Sequence, residues 1–165
     1  MSEIKNISIF YREFKDQNEL IAEDQELIKA SEEAARSAYA PYSKFRVGAA
    51  VRLESGRIVQ GANVENAAFP SGICAERTAL AASITNYPDD RPVTLAISAI
   101  SEDGSAAEQV TPCGNCRQVI AEEESRWNRQ IRILLAGKNK IIELEGIGQL
   151  LPLQFNRKSL RSDHP

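Results

Sequence analysis

Cys74, Cys113 and Cys116 are the residues of this chain whose type and spacing point to chemistry. Cys113 and Cys116 make a Cys-x-x-Cys pair behind Pro112, and Cys74 stands two residues before Glu76. Both groups fall at predicted helix starts. A Cys-x-x-Cys pair at such a start sets two sulfurs on one side, a turn apart, and the partial positive charge of the helix N-terminus favours thiolate over thiol. Two such starts facing each other would gather three thiolates around one metal ion. Structural zinc takes four protein ligands, whereas catalytic zinc keeps one position for water. The single histidine, His164, is near the C-terminus and far in sequence from both motifs, so an open position with bound water is the natural reading. Water on zinc ionises near neutral pH. Glu76, in the first helical turn after Cys74, is placed to move a proton from that water to a substrate without being a ligand. Three thiolates blunt the Lewis acidity of one zinc ion, and Arg77 is positioned to offset this by donating hydrogen bonds to the sulfurs. A lone Cys-x-x-Cys also suits a redox pair or packed thiols, and a lone Cys-x-Glu says almost nothing. The two together, each at a helix start, point to a catalytic metal.

The elements that must hold these residues follow from periodicity and punctuation. Leu27, Ile28, Ala34, Ala35, Ala38 and Tyr39 recur at helical spacing, with Asp24 or a nearby acid as a cap and Pro41 as a stop. Residues 45–53 and 58–62 read as a hairpin around Gly56, and 63–73, with Pro70 and Gly72, as a loop. Residues 74–86 form the helix of the first thiol and 113–127 that of the pair, with 93–100 a buried strand between them. Residues 131–136 and 141–144 are further strands. Ile7 to Phe10 has strand character, and residues 1–23 read as an arm or edge strand ahead of a domain over 24–156 and a tail over 157–165. Alternating strands and helices imply an α/β sheet covered on both faces.

Bulk properties fit a small substrate. The 165 residues suggest one domain, 42% hydrophobic and 26% charged, with a net charge of -3. Nucleic-acid binders usually show a basic face. Here the only basic cluster is Arg157, Lys158 and Arg161, a solvated tail, so no nucleic-acid partner is expected. The polar start lacks the core of a secretory signal, and no apolar run reaches membrane-spanning length, so a cytoplasmic location without a membrane partner is expected. An odd number of cysteines argues against a disulfide framework.

Five segments, in order, resemble the small single-domain cytidine deaminase family. They are Tyr-Ala-Pro-Tyr-Ser-Lys-Phe-Arg-Val-Gly-Ala-Ala at 39–50, Asn-Val-Glu-Asn-Ala at 63–67, Ser-Gly-Ile-Cys-Ala-Glu-Arg-Thr-Ala at 71–79, Pro-Cys-Gly-Asn-Cys-Arg-Gln-Val at 112–119 and Leu-Leu-Pro at 150–152. The resemblance covers about residues 25 to 156, and its metal signature with a non-ligand glutamate is that of zinc deaminases. It implies a three-layer α/β/α fold with a mixed five-stranded sheet, Zn2+ as cofactor, and hydrolysis of cytidine and 2′-deoxycytidine to the uridines with release of ammonia, a reaction of pyrimidine salvage. By position, Phe45 would stack near the pyrimidine, and Asn63 and Glu65 would meet the ribose 3′-hydroxyl. The Ala75 backbone and Glu76 would read the base edge, and the Thr111 carbonyl would face the leaving amine. Taken alone, Phe45 is equally a core residue, Asn63 a turn residue and Glu65 a surface charge. The resemblance further implies a homotetramer, with Tyr42, Phe69 and Phe155 near the pocket or interface. Phe69 stands where tyrosine is frequent, and Lys44 and Arg46 replace a His and a Pro often seen beside the stacking Phe. Two other readings fit the motifs: a deaminase of a modified nucleoside or aminated heterocyclic antibiotic, and a non-catalytic zinc protein, which would not need Glu76.

Overall fold

The computed structural model describes residues 2–160, and of Arg157 and Lys158 only the backbone. His164 and Arg161 lie outside the described residues. Strand β1 (Arg12–Phe14) precedes helix α1 (Ala22–Arg36), strands β2 (Arg46–Leu53) and β3 (Ile58–Ala62), helix α2 (Ala75–Asn86) and strand β4 (Pro92–Ile100). Helix α3 (Gly114–Trp127) and strands β5 (Arg132–Ala136) and β6 (Ile141–Glu145) follow. The strands form one sheet in the order β1-β6-β5-β4-β2-β3. Among the described strands, only β4 and β5 pair in parallel, and α3 is the crossover that a parallel pair requires.

Alternation along the strands makes the three layers. Ala49, Val51, Leu95, Ile97, Ile133 and Leu135 point to one face and pack with Leu80 of α2 and Ile120 of α3. Ala50, Ala96 and Leu134, one residue out of step, point to the other and pack with Leu27 and Ile28 of α1. Strand β4 is therefore buried on both sides, which explains why its apolar run is interrupted only by the small hydroxyl residues Thr94 and Ser98. Two glycines let helices sit close: Gly48 faces the backbone of α1 at Ser31 and Ala35, and Gly61 faces that of α2 at Ala75 and Ala79. The second contact bears on the site, because α2 begins next to Cys74.

Three expectations need correction. The sheet has six strands rather than five, because β1 adds to the edge of β6, with Arg12, Glu13 and Phe14 opposite Glu143, Ile142 and Ile141. That strand is not the apolar run at Ile7 to Phe10, whose side chains are exposed. Ion pairs select the register instead: Arg12 to Glu143 at 3.1 Å and Lys140 to Glu13 at 2.8 Å. Asp24 does not cap α1 either. The helix starts behind Ile21 without a side-chain cap, and the buried Asp24 carboxylate accepts both terminal nitrogens of Arg132 on β5. A buried carboxylate needs a charged partner more than an exposed helix end needs a cap.

Candidate metal and active site

Cys74 is the N-cap of α2 and Cys113 the N-cap of α3, so both thiols sit where unpaired helix amides converge. Cys116 lies one turn into α3 and is buried, whereas Cys113 is exposed. The three sulfurs all lie within 4.8 Å of one another. Cys74 and Cys113 Sγ are 3.9 Å apart, and Cys113 and Cys116 Sγ 3.5 Å. Tetrahedral zinc with bonds of about 2.3 Å spaces its sulfur ligands about 3.8 Å apart. The donor set therefore fits zinc in both type and spacing. Burial pushes the Cys74 and Cys116 thiols up. At Cys113 burial acts the same way but loses to the Cys116 amide, the neighbouring thiols and the Asn115 amide, which hold that thiol below its ordinary value.

Glu76 is in the first turn of α2 and only 4% exposed. Burial raises its pKa, against its own backbone amide, the Cys116 thiol and the charge of Arg77. A carboxyl held ready to take a proton beside a thiol cluster suits general acid–base work. Arg77, half-buried, thus acts electrostatically on the glutamate.

A cleft of about 550 Å³ reaches the cluster at Cys74. Its walls bring together Tyr42, Asn63, Glu65 and Phe69, four of the sequence candidates. Tyr42 and Phe69 meet edge to face, with ring centroids 5.9 Å apart. Among the described residues, the walls do not include Phe45, Ala75, Thr111 or Phe155. Phe45 is 39% exposed and precedes β2, tied to the cleft through Asn63, whose Nδ2 donates to the Phe45 carbonyl at 3.1 Å. Ala75 is buried as the first residue of α2, and Thr111 is exposed just before Pro112. Phe155 sits beside α3, where Gln118 donates to its carbonyl at 2.8 Å.

Asn63 and Glu65 have structural work as well. Asn63 Oδ1 accepts the Val47 amide at 2.8 Å. Glu65 accepts the Tyr42 amide at 2.8 Å and the Ser43 amide at 3.2 Å. Its carboxyl is held below the ordinary value, first by the Ser43 side chain. Two residues here had no assigned role in the sequence: Ser43, and Arg117, which donates to the carbonyls of Pro112 and Leu150, each at 2.8 Å. Arg117 directly follows Cys116, and that adjacency was the available signal.

Comparison with known proteins agrees with this geometry. The family model described as "Cytidine and deoxycytidylate deaminase zinc-binding region" matches residues 21–128. A cytidine deaminase of Halalkalibacterium halodurans is 44% identical over 136 residues, spanning 82% of this chain and 96% of that protein. One from Sporosarcina psychrophila is 37% identical over 136 residues, 82% and 93% respectively. The crystal structure of cytidine deaminase from Burkholderia pseudomallei superposes with a TM-score of 0.67 at 34% identity, covering 79% of this chain and 97% of that one.

Proposed function

We propose, from the premise that the chain belongs to the zinc-binding cytidine and deoxycytidylate deaminase family, that it hydrolyses both cytidine and 2′-deoxycytidine to the corresponding uridines and ammonia in pyrimidine salvage. The observation that carries this is the three-thiol cluster of zinc spacing, at the end of a cleft and next to a buried glutamate.

Cys74, Cys113 and Cys116 would hold the zinc, which supplies a water ionised near neutral pH. Glu76, buried beside the thiols, would accept a proton from the attacking water and deliver it to N3 of the ring as the oxygen adds at C4. Glu76 would then take the proton of the new C4 hydroxyl and pass it to the amino group, so that the C4–N bond breaks, ammonia leaves and the C4 carbonyl forms. Burial favours both steps, because a raised carboxyl pKa makes Glu76 a competent acid as well as a base. The Ala75 backbone and Glu76 read the base edge, and the Thr111 carbonyl accepts from the leaving amine. The Phe45 ring packs on the base. Asn63 and Glu65 meet the ribose 3′-hydroxyl with the acceptor and donor capacity left over from their loop contacts. Arg77 moderates the charge around the thiols and Glu76.

Tyr42 and Phe69, in edge-to-face contact, are 52% and 75% exposed, and Phe155 beside α3 is 55% exposed; this exposed aromatic surface supports burial against neighbouring subunits in a homotetramer. Three free cysteines suit the reducing cytoplasm. The net charge of -3 supports a small nucleoside over a nucleic acid. Among the described residues, no helix is long and apolar enough to cross a membrane.

The test is turnover of cytidine and of 2′-deoxycytidine by zinc-loaded protein, with uridine and ammonia both measured, beside a Glu76→Gln variant. The variant is expected to keep its zinc and lose roughly 10²–10⁴-fold in kcat. Equal activity in the variant would remove Glu76 from its role, and activity confined to oligonucleotides would remove the substrate class.

A further inference from the structure

We infer that Ser43 is a positioning residue of this site: its hydroxyl accepts the Phe45 amide while its own amide donates to the Glu65 carboxylate, and these bonds together fix the Phe45 ring on which the base packs. The inference rests on the reading that Phe45 contacts the base.

Phe45 lies one residue before β2, outside the regular ladder. Its two main-chain polar groups are nonetheless both held, each by a side chain. Its N–H donates to Ser43 Oγ at 3.0 Å, and its C=O accepts from Asn63 Nδ2 at 3.1 Å. A serine hydroxyl has one proton and two lone pairs. One lone pair accepts the Phe45 amide, and on its other side Ser43 meets Glu65, whose carboxyl is held down first by the Ser43 side chain. The same carboxylate accepts the Tyr42 and Ser43 amides. Ser43 thus joins the two segments that carry the substrate candidates, 42–45 and 63–65.

The joint has a steric reason to exist. Lys44, between Ser43 and Phe45, has φ of 60° in the left-handed region. Residues with a Cβ enter that region reluctantly, so the surroundings must over-determine it. The Lys44 amide donates to the Ala40 carbonyl at 3.1 Å, and the bonds at Ser43 to Glu65 and from Phe45 close the turn on either side. Without the hydroxyl, Lys44 can relax to negative φ, which re-aims the next side chain, that of Phe45. An ordinary turn serine would only stabilise the loop. A positioning serine changes substrate binding while leaving the proton chemistry of Glu76, on the separate helix α2, in place.

Ser43→Ala and Ser43→Thr separate these cases in the zinc-loaded full chain, with cytidine kinetics and NMR on the same samples. Ser43→Ala is expected to raise KM about five- to twentyfold with kcat within about twofold, the pattern of lost binding common to ground and transition states. The Phe45 amide should lose hydrogen-exchange protection, the Glu65 carboxyl should titrate higher, and Ser43→Thr, which keeps the hydroxyl, should restore all three. An unchanged KM in an active Ser43→Ala protein, or an unchanged Phe45 amide, overturns the inference. A parent that binds and turns over no cytidine overturns the substrate reading instead, and the Phe45 amide still reports on the clamp by itself.

Discussion

Arg117 and Leu150 are joined across 33 residues of sequence by a 2.8 Å hydrogen bond from guanidinium to carbonyl. A second nitrogen of the same guanidinium holds the Pro112 carbonyl, so one side chain ties the loop before Cys113 to the segment after β6. Arg117→Ala removes both donors and is expected to cost about 2–4 kcal/mol, since charged hydrogen bonds contribute about 1.5–3 kcal/mol each and the site is partly exposed. Thermal unfolding of zinc-loaded protein measures the loss. Faster zinc release to a chelator should accompany it, and unchanged release would mean that the tie does not reach the thiols.

Removing the metal should loosen the site without dissolving the fold. The two apolar clusters on the faces of the sheet do not depend on zinc. The helix starts at Cys74 and Cys113 do, because zinc is what joins them. Chelated protein is expected to lose activity and about 6–12 °C in Tm, equivalent to roughly 3 kcal/mol for a chain of this size. Added zinc should restore both, with metal content checked by elemental analysis. Full activity in protein shown to be metal-free would refute the assignment.

Glu65 sets an acid limit on the cleft wall. Its pKa is lowered from 4.5, first through the Ser43 side chain, with the Tyr42 and Ser43 amides acting in the same direction. A depressed carboxyl binds protons less readily folded than unfolded, so its contribution is complete above the unfolded value and lost as pH falls through the folded one. The 42–45 turn should therefore loosen only in acid, as the pH falls through the folded-state value of this carboxyl, below the ordinary carboxylate range. A carbon-detected titration of the Glu65 carboxyl gives the midpoint directly, and a value of 4.5 or higher would contradict the hydrogen-bonding pattern.

Gly61 on β3 is the seat of α2. A Cβ there would lie 2.7 Å from the Ala75 carbonyl, closer than real Cβ contacts allow, and closer still to the Ala79 amide. Gly61→Ala should lift α2 from the sheet, destabilise the protein by about 1–3 kcal/mol, and lower kcat because Glu76 rides on the first turn of that helix. Gly148→Ala, where a Cβ meets open space, is the control and should change neither Tm nor kcat. A Gly61→Ala protein with parental kcat would show that Glu76 tolerates the displacement.

The metal motifs were legible in the sequence because their geometry is local. A Cys-x-x-Cys pair at a helix start and a glutamate two residues after a third thiol fix which atoms lie together within each turn, and all three thiols do converge. The layered α/β pattern was legible for the same reason, since alternation and helical spacing are short-range periodicities. An edge strand in residues 1–23 was one reading, but its place was not legible: Arg12–Phe14 is only three residues long with two charged side chains, and its place depends on charges at Glu143 and Lys140 far along the chain. Asp24 read as a cap because the sequence shows its neighbours on α1 and not Arg132, 108 residues away. By itself, then, the sequence determined the zinc-binding residue types, the helices that carry them and the alternating pattern of the sheet. Only the tertiary structure decided that Asn63 holds Phe45, that Arg117 ties the thiol loop to Leu150, and that a sixth strand closes the edge at 12–14, because each depends on a hydrogen bond or ion pair whose partner becomes a neighbour only when the chain folds.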